Sequence, residues 1–514
     1  AKVYIAMGET DQALLELETF QDLSKDTEET QKLAISAYMK AGEANKAINI
    51  ANEMLIKKPQ DPEILSLNAT LQSANNNNQQ ARLYFNQALQ LQAGLPSATI
   101  GLARIERKEG NVDKAITLYN GLVESNKGGT LPMLALAELA AQQKRTSDML
   151  FWLERARNTA PGETRPRIIL ANYYLQNNQP KQADIYIQEA IKVSPEQIEL
   201  LALQGRVLIA LKLYSEALLP LNKLVNKLPA SANAHVMLGE AFLRQGMTKK
   251  AREHLQRTLN IEKNHFLAMS LLAETEFKAG KYDKSLEYAK SLQKIQPQLY
   301  VGYMQEGDVW MVKLDYEKAH SAFSKAWKQQ QTAALAIRLF SASKHTENFD
   351  NAIQPLLSWL GDHPNDSSIR FFLASTYQAA EKNDDAIQEY EKVLEATPDD
   401  GATLNNLAWL YSLKGNPKAL GLAERAYRAK PEDPGIQDTY GWILVQQGQV
   451  EKGQRLIKQA LGLLPDNLEI RYHYATALFK SGNENEGRQL LEKLLKQNEP
   501  FIGRNKAQQL LEKH

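Results

Sequence analysis

The sequence predicts an all-α fold, a right-handed α-solenoid superhelix of about 14 full helix-turn-helix repeats. Three observations predict it. The chain aligns on itself with a period of 34 residues, small residues recur at two fixed places in that period, and a proline recurs near its end. Repeats begin at Glu28, Pro62, Pro96, Thr130, Thr164, Ile198, Ala232, Phe266 and Tyr300, then at Ala333, Ser367, Gly401, Pro434 and Leu468 with intervals of 33 or 34. An internal period of this kind overrides the domain count that length alone would suggest.

Within each repeat the pattern predicts two amphipathic helices of about 14 residues joined by a short polar turn. The segment LGEAFLRQGMTKKAREHLQRTL displays both apolar faces, with Gly246 at the turn. Position 8 is Gly or Ala in 12 of the 14 repeats, only Ile35 and Phe340 departing, and position 20 is small in all but two, where Met149 and Leu420 stand. A larger side chain at either place would hold the helix axes apart. Proline at position 32, as at Pro229 and Pro465, stops the second helix and sets the entry to the next repeat. One helix pair cannot bury its apolar face alone, so the pairs stack in a row.

The boundaries follow from the phase. Residues 1–27 read as a partial repeat truncated at its N-terminus, because Ala1 falls at position 8 and Ala13 at position 20, and the chain is expected to be a piece of a longer array. Residues 28–500 form one continuous array, and residues 501–514 supply a capping helix with charged and amide residues outward. Irregular stretches at 126–132 and 328–334 mark changes of curvature, not domain boundaries.

Composition narrows the function. The chain has 514 residues with 61 Lys and Arg against 60 Asp and Glu, a formal charge of +1 that lacks the basic field of a general nucleic-acid binder. Cysteine is absent, which removes disulfides, thiolate metal sites and a cysteine nucleophile, and is compatible with any redox compartment. No apolar run reaches the roughly 18 residues needed to span a bilayer. The eight histidines, His235, His254, His265, His320, His345, His363, His473 and His514, are scattered without metal-ligand spacing, and no phosphate-cradling loop occurs. No enzyme activity, cofactor or metal is expected.

These repeats resemble the tetratricopeptide repeat family, which shares the period, the small residues at 8 and 20, an aromatic near 11 (Tyr38, Tyr174, Phe242, Trp310, Tyr377, Tyr411) and the proline at 32. The resemblance implies a groove lined by the first helix of each repeat, mainly at positions 2, 5, 9 and 12. The family's carboxylate clamp, Lys at 5 with Asn at 9, is missing, since Lys32 is paired with Ser36. That argues against a heat-shock co-chaperone. Position 9 carries Arg104, near Arg107 and Lys108, and then Glu240, Glu274 and Asp308 in three consecutive repeats, an acidic ladder suited to a basic partner segment. Near the C-terminus it carries Trp409 and Trp442, in phase with Asn405, Asn406, Asp438, Tyr472 and His473. Aromatic faces beside amides and a carboxylate fit a sugar polymer or an extended peptide; packing of both tryptophans in the core is the alternative.

From Leu404 to Leu495, and in the closing Phe501, Arg504, Ala507, Leu510 and Leu511, the sequence is most similar to the repeat lipoprotein family of PEP-CTERM/exosortase loci in Gram-negative bacteria. That resemblance implies a non-catalytic scaffold of the cell envelope, serving exopolysaccharide synthesis and export or PEP-CTERM protein sorting. Its partners would be extended peptides or envelope complex components, with no nucleic acid. It would be periplasmic, anchored at the outer membrane through a tether outside this sequence. A solenoid that itself guides a polysaccharide and a cytoplasmic peptide-binding adaptor are the alternatives.

Overall fold

The computed structural model describes residues 1, 4, 10–21, 27–497, 499–501 and 503–513. Among them every regular element is an α-helix. The chain forms two compact units, Ala1–Lys263 and Asn264–His514. The sequence does not mark this division, because the 34-residue phase runs through it.

In the first unit helix pairs run from Glu28–Lys40 with Ala44–Lys57 to Ala232–Arg244 with Thr248–Ile261. In the second they run from Phe266–Lys278 with Tyr282–Ile295 to Leu468–Lys480 with Glu484–Leu495. Twelve of the fourteen first helices begin on the residue that opens the repeat, and the helices Leu131–Gln142 and Arg165–Gln176 begin one residue later. The start is fixed locally. Asp433 Oδ1 accepts from the backbone N–H groups of Gly435 and Ile436 at 2.9 and 3.1 Å, and Asp61, Asp366, Asp400 and Asn467 cap their helices in the same way. Helix Thr10–Gln21 precedes the first pair; the rest of the expected partial repeat falls mostly outside the described residues.

The turn inside each pair follows one pattern. The Gly246 N–H donates to Leu243 O and the Met247 N–H to Phe242 O, which closes the first helix with a left-handed residue at position 15. Position 15 has positive φ in 13 of the 14 repeats, yet it is not always Gly: Lys144, Lys212, Leu314 and Glu381 adopt it too. Leu314, at φ 60°, is 68% exposed, so its side chain repays little of the cost of the left-handed conformation. Leu314→Gly is therefore expected to stabilise the second unit by up to about 1 kcal/mol. A lowered denaturation midpoint would contradict this.

Position 8 is small for a more specific reason than the approach of helix axes. It receives the side chain at position 24 of its own second helix: a Cβ added to Gly205, Gly239, Gly307 or Gly441 would strike Leu221, Leu255, Phe323 or Ile457 at 2.3–2.7 Å. Position 24 supplies many of the largest fully buried side chains, among them Phe85, Tyr119, Leu153, Ile187, Phe323 and Tyr390. The departure at Ile35 is an exchange of volumes, since its position 24 is Ala51 and both are buried in one cluster. The other departure, Phe340, belongs to a repeat whose second helix is broken into Phe349–Ala352 and Gln354–Asp362, with Pro355 just after the break.

At the C-terminus, helix Arg504–Lys513 buries Ala507 beside Phe501, Leu510 and Leu511. Arg504 donates to the carbonyls of Leu495, Gln497 and Glu499 at 2.9, 2.8 and 3.1 Å, satisfying acceptors at and just beyond the end of the preceding helix. No described helix is long and apolar enough to cross a membrane.

Candidate functional site

The C-terminal aromatic and polar residues meet, but not as two parallel tryptophans. Asp438 and His473 stand on the first helices of adjacent repeats, and His473 Nδ1 donates to Asp438 Oδ2 at 2.8 Å with both side chains buried. The imidazole touches both indoles: Trp442 stacks on it at 4.1 Å and Trp409 tilts against it at 5.8 Å. Tyr472 joins Trp442 at 5.8 Å and Phe501 at 5.9 Å. Burial pushes the Tyr472 hydroxyl pKa up. Both tryptophans are half-buried. The amides are used internally, Asn405 donating to Asn406 and Asn406 to the Tyr390 hydroxyl at 3.0 Å. One face of Trp442 is therefore taken by protein.

The acidic residues at position 9 each stand beside a cation. Glu274 pairs with Lys278 at 2.9 Å and Glu240 approaches Arg244 at 3.9 Å, each one turn along its own helix. Asp308 is held by Arg338 through two hydrogen bonds of 2.7 and 3.3 Å. Burial raises the Asp308 pKa and the guanidinium opposes it. These pairings offset the like-charge field that the sequence pattern suggests. Glu240 belongs to the first compact unit, and Glu274 and Asp308 to the second.

Two histidines that look isolated in the sequence also meet. His235 Nδ1 lies 3.1 Å from His254 Nδ1 in the first unit. His235 Nε2 faces the Pro229 carbonyl, which only accepts, so that nitrogen carries hydrogen and Nδ1 is left to accept from His254. Burial, and then the neighbouring His235, lower the His254 pKa. Among the described residues no group of three or more His, Asp or Glu is placed to hold a metal ion.

A built concavity lies elsewhere, in the first unit. A cavity of about 610 Å³ is lined by Arg104 and Arg107 from helix Pro96–Lys108, by Leu131, Leu134, Ala135 and Glu138 from the next first helix, and by Arg165 and Ile169 from the one after. These are positions 2, 5, 6, 9 and 12 of successive repeats. Met149, a large residue at the usually small position 20, also lines it, so a repeat that departs from close helix approach stands at its centre. A second hollow of about 440 Å³ shares Arg104 and Leu131 and continues past Ile100 to Thr70 and Ser73. The two form a groove over four successive first helices, from Pro62–Ala74 to Arg165–Gln176. Arg107 pairs with Glu138 at 2.9 Å, whereas Arg104 and Arg165 form no ion pair with any described residue. Arg104 reaches the buried Tyr119, whose pKa burial raises and the two arginine charges lower. Lys108 turns away to Asn76 at 2.9 Å. The sequence singles out Arg104 and Arg107; Arg165 goes unnoticed because it sits at position 2, and reading positions 2, 5 and 9 across three repeats together would have found it.

Tetratricopeptide repeat models match residues 67–129, 165–197, 373–434 and 444–512. The chain is an array of tetratricopeptide repeats. A model described as anaphase-promoting complex, cyclosome, subunit 3 matches residues 213–291 of the array. A TPR repeat-containing protein of Pseudomonas aeruginosa is 28% identical over 179 residues, 33% of this chain and 29% of that protein. Cellulose synthase operon protein C of Pseudomonas fluorescens is 20% identical over 456 residues, 82% of this chain and 36% of that protein. The array thus spans about a third of the length of the curated relatives it matches. Among solved structures, MamA is 22% identical, with 32% of this chain and 96% of MamA covered at a TM-score of 0.29. The Cut9–Hcn1 hetero-tetramer of the APC/C is 12% identical, with 90% and 99% covered at a TM-score of 0.35. Tetratricopeptide repeats in general form interaction scaffolds without chemistry of their own, and this array is a scaffold for protein–protein interaction.

Proposed function

We propose that the array is a non-catalytic docking scaffold of the bacterial cell envelope, serving an apparatus that makes or exports an exopolysaccharide or sorts PEP-CTERM proteins. It works in the periplasm and receives extended segments of partner proteins. The observation that carries the docking part is the groove over four first helices, lined by aliphatic and charged residues between Arg104 and Arg165 and by Ile100, Thr70, Ser73 and Ser97 beyond Arg104. The envelope part is supported by the C-terminal resemblance and by a distant relative named for a cellulose synthase operon. Direct guidance of a polysaccharide is the weaker reading, because sugar stacking needs free aromatic faces and His473 covers one face of Trp442.

A photo-crosslinking residue at Ala135, inside the groove, tests this in cells that make the protein natively. The expected result is capture of envelope proteins encoded with polysaccharide or sorting genes. Capture of cytosolic proteins alone would favour an adaptor and sink the envelope reading, and no captured protein at all would sink the docking reading.

A further inference from the structure

We infer that the groove between Arg104 and Arg165 selects an acidic segment of a partner protein, an extended stretch with a carboxylate near each end and aliphatic side chains between. This rests on the docking reading above and names the chemistry of its ligand. Three guanidiniums, Arg104, Arg107 and Arg165, face the cavity against the single carboxylate of Glu138, and Glu138 is already paired with Arg107. Two cations are left over. Arg104 and Arg165 are exposed residues with no ion pair to any described residue, so an arriving carboxylate meets them without first breaking one. Arginine suits this role because its planar fork of donors matches a carboxylate with two parallel hydrogen bonds.

The floor decides between a peptide and another polyanion. Leu131, Leu134, Met149 and Ile169 line it, while Tyr119, the aromatic in the lining, is 1% exposed and offers no ring face. Aliphatic walls fit Leu, Ile or Val side chains and give a sugar ring nothing to stack on. The spacing follows from the repeats. Arg104 and Arg165 stand two repeats apart, and first helices about 10 Å apart put them roughly 20 Å from each other, about six residues of extended chain.

The test is selection of a random decapeptide library on the whole chain, followed by fluorescence anisotropy with the enriched peptides labelled. The expected result is enrichment of peptides with Asp or Glu about six residues apart flanking aliphatic residues. Their binding should weaken by about tenfold or more in the double variant Arg104→Gln/Arg165→Gln and fall with added salt. Both arginines are exposed, so the variant's thermal melt should match that of the parent and weaker binding would not reflect unfolding. Enriched peptides that are neutral or basic but still crosslink to Ala135 would overturn the acidic preference and leave the docking reading standing. Acidic peptides whose affinity ignores the double variant would also overturn it. Polygalacturonate oligomers that displace the peptides at equal charge concentration would show a general polyanion site instead. A library with no enriched peptide would overturn both this inference and the docking reading.

Discussion

Phe323→Ala is expected to cost about 3–5 kcal/mol, the largest effect of any single change considered for this chain. Phe323 is fully buried at position 24 of its repeat, and its ring fills the space over Gly307, where an added Cβ would sit 2.3 Å from Cε1. Truncation leaves a cavity between two helices that also pack on Leu335 and Leu339, and the glycine opposite has no side chain with which to fill it. Because a repeat array opens in segments, the loss should appear as faster amide exchange in helices Tyr300–Val312 and Tyr316–Gln329 as well as in the denaturant midpoint. The reciprocal change, Gly307→Ala, should destabilise through the clash. Adding Phe323→Leu should restore much of the loss, since the repeat at Leu468 buries the combination Ala475 with Leu491. Failure of this double variant to recover would show that position 24 does not set the size of position 8.

Gly453→Ala is expected to destabilise by about 1–2 kcal/mol although Ala is the commoner residue at position 20 and the better helix former by about 1 kcal/mol. Gly453 and Gly441 face each other, and a Cβ on Gly453 would lie 2.4 Å from the backbone oxygen of Gly441 and 2.6 Å from Val445 Cγ2. A carbonyl in a helix cannot swing aside as a side chain can, so the helices must separate. Gly462→Ala, nine residues along the same helix with nothing within 4 Å of the new atom, is the control and should stabilise by a few tenths to about 1 kcal/mol. If both variants shift the midpoint upward, propensity rather than packing governs this pair.

The C-terminal cluster illustrates what a one-dimensional reading misses. Trp409, Trp442 and His473 can be placed in phase from the repeat, which says that they are near one another. Phase does not say which rings touch. His473 meets both indoles with its Nδ1 anchored by Asp438 on the preceding first helix, and the indole of Trp442 covers its face. The acidic ladder is similar: the repeat predicts aligned carboxylates, but the partner of Asp308 is Arg338, thirty residues on and in the next repeat.

What the sequence by itself determined is the periodic part: the helix starts, the capping aspartates, the small residues at 8 and 20 and the family. Each of these depends on contacts within one repeat, so local pattern is enough to encode it. The tertiary structure alone decided the rest. It set the division between Lys263 and Asn264, the volume exchange of Ile35 with Ala51, and the groove where Met149 and three arginines from two repeats converge. These arise from side chains on different helices filling or failing to fill a shared volume, and no position in a single repeat records how large its neighbour in space is.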